Sequence, residues 1–282
     1  MPVSFPLGLR GPKSFVGRDL RSMIALSLKR FTLANIVFLF LSFAGILVFL
    51  YPFWAPSQPS DPESRTALLL FSGSIALILI ALISEAQTGL TSHTIAMVGT
   101  LIGLNSVLRL IETVIPLPGG FSPVFLLITL VGYSFGARLG FLMGALTMLI
   151  TGPLTAGGLG PWTPYQMLAA GWIGLGAAWL PRRKFVLPAL IIYITLWGWF
   201  YGVLTNLYFW PYAMSAPDIG WEPGQGIDET LLRYGRYYLV TSLIWDSARS
   251  VGNFLLMLVL GPSLIKALDR FKRRARVVWE RP

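Results

Sequence analysis

Apolar runs, most of them about twenty residues long, follow one another from residue 32 to residue 262. This repetition constrains the fold more than any other feature. A helix needs about 20 mostly apolar residues to cross the ~30 Å hydrocarbon core of a bilayer. The runs fall at 32–53, 67–86, 93–115, 121–135, 138–156, 163–180, 186–209 and 236–262. Only 12% of the 282 residues are charged and 55% are hydrophobic, whereas a soluble domain carries about 25% charge. The expected fold is therefore an all-α integral membrane protein of about eight transmembrane helices. No polar stretch is long enough for a sizeable soluble domain.

Charge placement gives the expected orientation. The formal net charge is +10, but the bases gather in short segments that flank apolar runs. Arg10, Lys13, Arg18, Arg21, Lys29 and Arg30 precede the first. Arg182, Arg183 and Lys184 sit between two others, and Lys266, Arg270, Lys272, Arg273, Arg274 and Arg276 follow the last. This is the positive-inside pattern of a multi-pass plasma-membrane protein, not a stripe for nucleic acid. Eight spans put both termini in the cytoplasm. The outer loops then fall at 54–66, 116–120, 157–162 and 210–235, the last carrying Asp218, Glu222, Asp228 and Glu229. Residues 1–30 read either as a basic amphipathic helix on the inner leaflet or as an unstructured basic tail. With no cysteine and one histidine, His93, neither a disulfide nor a multi-histidine metal site is possible, and no cofactor is expected.

Polar residues inside a span are costly and mark function by default. Asn105, Arg109 and Glu112 are spaced i, i+4, i+7, and Asp246, Arg249 and Asn253 are spaced i, i+3, i+7. Each set shares one helix face. Two readings stand. The faces line a pocket for a polar ligand, or they form interhelical salt bridges, Arg109–Asp246 and Glu112–Arg249. Two further stripes run toward the same end: Trp197, Tyr201, Thr205 and Tyr208, and Thr147, Thr151 and Thr155. Pocket wall, lipid-facing belt and simple packing all fit them. Small residues recur at four-residue spacing: Ala96 with Thr100, Gly99 with Gly103, Gly136 with Gly140 and Gly144, and Ala170 with Gly174. Such faces let another helix approach closely, inside the bundle or on a second membrane protein. No GxxxxGK[ST], HExxH or GxSxG occurs, so no catalytic site is expected. The competing reading is a membrane-embedded enzyme using Glu112 or Asp246 as base.

One interruption stands out: LTAGGLGPWTPYQ, residues 154–166, cannot continue as regular helix. Together with GGFSPVFLLITLVGYSFGARLGF before it, AAGWIGLGAAWLP after it, and TSLIWDSARSVGNFLLMLVLGPSLIKALDRF at 241–271, it resembles the substrate-binding S components of energy-coupling factor (ECF) vitamin transporters. The resemblance runs from His93 onward, roughly 190 of the 282 residues. It implies a six-helix substrate-binding core at 89–263, here preceded by two extra helices within 31–88 and followed by a basic cytoplasmic tail at 264–282. It implies a ligand held near the outer surface by the loops 116–122, 156–163 and 210–235. Gly158 and Gly160 would let backbone approach the ligand, Trp162 would offer a flat face, and Gln166 would point the same way. Asn105, Arg109, Glu112, Thr151, Trp197, Tyr201, Trp245, Asp246 and Arg249 would complete the binding set. The partners implied are a membrane T component and two cytoplasmic ATPases, with Ala96, Gly99, Thr100, Gly103, Gly140 and Gly144 as the docking face. The motifs are most similar to S components assigned to cobalamin, with a thiamin-like or other heterocyclic precursor as the alternative.

Overall fold

The computed structural model describes residues 33–54, 65–86, 92–114, 122–155, 157–212 and 218–277. Nine helices occupy them: α1 (Leu33–Trp54), α2 (Arg65–Ala86), α3 (Ser92–Val114), α4 (Val124–Phe135), α5 (Ala137–Thr151), α6 (Thr163–Ala177), α7 (Val186–Phe209), α8 (Ile227–Thr241) and α9 (Leu243–Val277). No strand occurs among the described residues. The basic segment 1–30 and the loop 116–120 lie outside them.

Four of these helices provide stretches long and apolar enough to cross a membrane: Thr94–Glu112, Ala137–Leu154, Val186–Tyr212 and Leu243–Arg273. The apolar stretches Asn35–Leu50, Ser72–Glu85 and Val124–Phe135 are shorter. The fourth expected span shows why length and burial part company. α4 has 12 residues, a rise of only ~18 Å at 1.5 Å per residue. Eleven of them, from Val124 to Ser134, are buried, so α4 is the central rod of the bundle. Apolarity on every side comes here from burial in protein rather than contact with lipid.

Glycines decide how closely the central helices approach. Gly136, at φ 104°, ends α4 and opens α5, a conformation that a side chain disfavours. A Cβ at Gly132 would lie 2.7 Å from the carbonyl carbon of Gly174, one at Gly140 2.6 Å from the same atom, and one at Gly144 2.7 Å from Gly171 N. α4, α5 and α6 therefore touch backbone to backbone. This corrects the expectation that Gly140 and Gly144 dock a partner: both are buried inside the bundle, because the Gly140/Gly144 and Ala170/Gly174 faces serve each other.

The two N-terminal helices lie on this core. Phe38 meets Phe141 edge-on at 5.5 Å, and Phe49 meets Tyr165 at 5.0 Å and Trp172 at 5.4 Å. Glu85, at the end of α2, pairs with Arg138 at the α4–α5 turn, 2.9 Å away.

The segment 210–235 and the last apolar run differ from expectation. Among the described residues, the segment contains a separate amphipathic helix, α8, and the long helix starts at Leu243 instead of 236. Asp228 and Glu229 occupy the first turn of α8, where carboxylates suit the positive end of the helix dipole. The chain leaves the helix at Ser242, φ −133°. Trp210 is fully buried, packs at a tilt against Tyr234 with centroids 4.9 Å apart, and donates Nε1–H to Ile219 O at 2.9 Å. Tyr234 in turn donates to Val203 O of α7, and burial pushes its phenol well above the ordinary tyrosine range. At the other end α9 runs on to Val277, so the basic tail starts as a helical extension.

Candidate functional site

Tyr201 of α7 is the point on which the polar faces of α3 and α9 converge. Its ring is buried and packs on Phe125 of α4, centroids 4.8 Å apart, and its hydroxyl faces Met148 Sδ of α5 at 3.9 Å. The Arg249 guanidinium stands over the ring, 5.5 Å from its centroid, a cation–π arrangement that gains weight in a desolvated setting. Arg109, Glu112 and Asp246 all act on the same phenol electrostatically. Four ionic side chains from two helices thus lie within electrostatic range of one aromatic ring, and Arg249 stands over it. Their formal charges cancel.

The pairing within this group is not the one expected. Asp246 pairs with Arg249 of its own helix, three residues on, instead of reaching Arg109. Glu112 accepts a hydrogen bond from Ser122 Oγ at 2.9 Å, with Arg109 the stronger cationic influence and Arg249 the weaker. The reason is rotational: i, i+3 neighbours on one helix meet without spanning the inter-helix gap. Arg249 also donates to Gly198 O at 3.4 Å, so it joins α9 to α7 as well as to its own acid.

The floor beneath Asp246 is glycine. A Cβ on Gly202 would stand inside van der Waals contact of both carboxylate oxygens of Asp246, and one on Gly198 would lie 2.6 Å from Ser250 Cα. The sequence reading passed over these two positions and over Ser122 and Ser250. GWFYG at 198–202 carries the same four-residue small spacing noted elsewhere and was the available signal. Asp246, Ser250 and Asn253 are all buried, and Ser250 Oγ and Asn253 Oδ1 have no hydrogen-bond partner. Tyr238 of α8 lies close enough to Asp246 to interact with it, so α8 touches the site.

Asn105 is fully buried and works as a staple. Its Nδ2 donates to Val124 O at 3.1 Å and to Thr147 Oγ1 at 3.3 Å, joining α3, α4 and α5, while Oδ1 is left without a partner. Thr151 donates to Thr147 O at 2.6 Å and Thr205 to Tyr201 O at 2.9 Å. Both hydroxyls are thus spent on helix carbonyls of the preceding turn.

The glycine loop is folded against α7. Gly158 takes φ 63°, which suits glycine. Gly160 N–H donates to Thr163 Oγ1 at 3.0 Å. Trp162 covers Gly160 so closely that a Cβ there would overlap the indole. The indole stacks on Phe209, 6.3 Å between centroids at 28°. Gln166 closes the first turn of α6 through its N–H to Trp162 O, 3.2 Å.

Two expected site residues are not brought in. Trp245 is 56% exposed, because it lies about 100° around α9 from Asp246 and off the buried face. Trp197 contacts Tyr193 at 6.2 Å and Phe200 at 5.5 Å, a stripe along α7 that leads to the exposed Phe200. The expected docking face on α3 is open: Ala96, Gly99, Thr100 and Gly103 are exposed, and a Cβ on Gly99 or Gly103 would meet nothing within 4 Å. No group of three or more metal-ligating side chains occurs among the described residues. No family model, curated protein or solved structure matches the chain.

Proposed function

We propose that this chain is the substrate-binding membrane subunit of an ECF-type ABC importer. In this reading it is a multi-pass plasma-membrane protein with cytoplasmic termini. It captures a vitamin, cobalamin in the first instance, at the outer face and delivers it by associating with a T component and two ATPases. The observation that carries the reading is the grouping of Arg109, Glu112, Asp246 and Arg249 within electrostatic range of buried Tyr201, with Arg249 over its ring. Two acids and two arginines in an apolar bundle are expensive to maintain. A balanced group of this kind exchanges an internal ion pair for an equivalent contact with a polar ligand at little electrostatic cost. Several buried oxygens in the bundle, including Asn253 Oδ1 and Asn105 Oδ1, have no hydrogen-bond partner and suit a ligand rich in N–H donors, such as carboxamides. The motifs from GGFSPVF to GLGPWTPYQM supply the resemblance to S components.

The test is mass spectrometry of the small molecules that co-purify with the full chain from cells supplied with a panel of vitamins. A corrinoid in stoichiometric amount supports the reading in full. A thiamin-like heterocycle supports the transporter reading and replaces the ligand. Turnover of an added substrate by the purified chain, abolished by Glu112→Gln or Asp246→Asn, would replace it with the enzyme reading.

A further inference from the structure

We infer that the end of the bundle carrying the α6–α7 loop is a binding surface for anionic phospholipid headgroups. This rests on reading the chain as a membrane protein and is independent of the transported ligand.

The loop is a built structure. The N–H groups of Ala178, Trp179 and Leu180 close successive turns onto Leu175, Gly176 and Ala177 at 3.3, 3.1 and 3.3 Å. Tyr133 of α4 donates its hydroxyl to Pro181 O, and Arg182 Nη2 donates to Ala178 O, both at 3.4 Å. Phe185 then enters α7 at φ 59°, the one non-glycine residue with positive φ among those described, a conformation unusual for a bulky side chain. The result presents two aromatic rings to the surroundings, Trp179 at 76% and Phe185 at 77% exposure. Between them lie exposed Arg182, Arg183 and Lys184.

α9 adds its own bases at the same end. Lys272 Nζ donates to Ser134 O at 2.7 Å, and Asp269 and Arg182 both act on Tyr133. Lys266, Arg270 and Arg273 are exposed along this stretch, where Asp269 is the lone acid. Arg138 is committed to Glu85. Arg183, Lys184, Lys266 and Arg273 form no ion pair among the described residues.

Uncompensated guanidinium and ammonium groups beside an apolar helix lie where lipid phosphates would meet them, and guanidinium takes phosphate oxygens two at a time. The flanking tryptophan and phenylalanine favour lipid over an acidic protein. Rings at the point where an apolar helix begins sit at headgroup depth, and α7 begins at Val186, directly after Phe185.

The test uses the full chain, delipidated in detergent, and compares retention of phosphatidylglycerol with phosphatidylcholine of the same acyl chains by native mass spectrometry. The expected result is preferential retention of the anionic lipid, weakened in the wild-type protein as salt rises from about 50 to about 500 mM. Arg183→Gln with Lys184→Gln should lower phosphatidylglycerol retention about tenfold or more and leave phosphatidylcholine unchanged. Both positions are exposed, so folding is not at stake, and the wild-type salt series stands by itself. Equal retention of the two lipids, or anionic-lipid retention unmoved by the double change, would overturn the proposal. If the double change left lipid binding intact but removed a co-purifying membrane or ATPase subunit, the surface would belong to a protein partner instead.

Discussion

Gly202→Ala tests whether the α7–α9 contact holds the ionic group in place. Gly202 is buried, and a methyl group there would overlap the carboxylate carbon and both oxygens of Asp246. Asp246 cannot turn away without leaving Arg249. α7 cannot simply retreat, because one turn earlier Gly198 is pressed as closely on Ser250. Overpacking of this kind costs about 1–3 kcal/mol. Disrupting the buried pair adds part of the ~3–5 kcal/mol lost when such a pair is broken, while alanine regains up to ~1 kcal/mol of helix propensity. The expected net loss is about 2–4 kcal/mol, read as a lower melting temperature in detergent, together with weaker ligand retention. Gly103→Ala on α3 is the control. Nothing lies within 4 Å of its added Cβ, so it should be neutral or slightly stabilising. The decisive arm places Gly202→Ala in a background of Asp246→Ala with Arg249→Met, where the obstacle and its partner are both gone. There the cost should fall below ~1 kcal/mol, since contacting residues couple and distant ones do not. A Gly202→Ala protein as stable as wild type, or one that loses as much in the pairless background, would refute the reasoning.

Other consequences follow from the same geometry. Asp246→Leu with Arg249→Met removes both partners of the buried pair and should give a protein that folds but fails to bind, measured by a thermal melt and a ligand titration; normal melting with wild-type affinity would reduce the pair to packing. Trp162→Ala removes the stack on Phe209 and should act mainly on the ligand off-rate, because a loosened loop releases its contents sooner. Gly174→Leu should prevent folding, since its Cβ position already meets Gly140 Cα at 2.8 Å. In contrast, Ala96→Leu with Gly103→Leu should abolish uptake while leaving ligand affinity within a few fold. Deleting residues 1–88 should lower the melting temperature, by baring Phe141, Tyr165 and Trp172 and leaving Arg138 without Glu85, yet leave ligand bound; outright loss of binding in a folded truncation would place α1 or α2 in the pocket.

Helical periodicity and hydropathy needed no tertiary information. The positions of the apolar runs, the inward faces of Asn105/Arg109/Glu112 and Asp246/Arg249, and the interruption at 154–166 are all consequences of 3.6 residues per turn and of what an apolar environment tolerates. Whether an apolar run faces lipid or protein is a different matter, because both surroundings select the same side chains. Only the packing shows that Val124–Phe135 is a short buried rod and that Gly140 and Gly144 are occupied by α6 while Gly99 and Gly103 remain open. Identical four-residue glycine spacings carry no address. The partner of Asp246 likewise depends on rotation and distance between helices, so spacing pointed across the bundle to Arg109, and the fold chose Arg249 on the same helix. The segment before the last span was legible as polar and long. That Trp210, Trp221 and Tyr234 would be buried and hold an added helix beside Asp246 could be decided only by contacts between residues far apart in the chain.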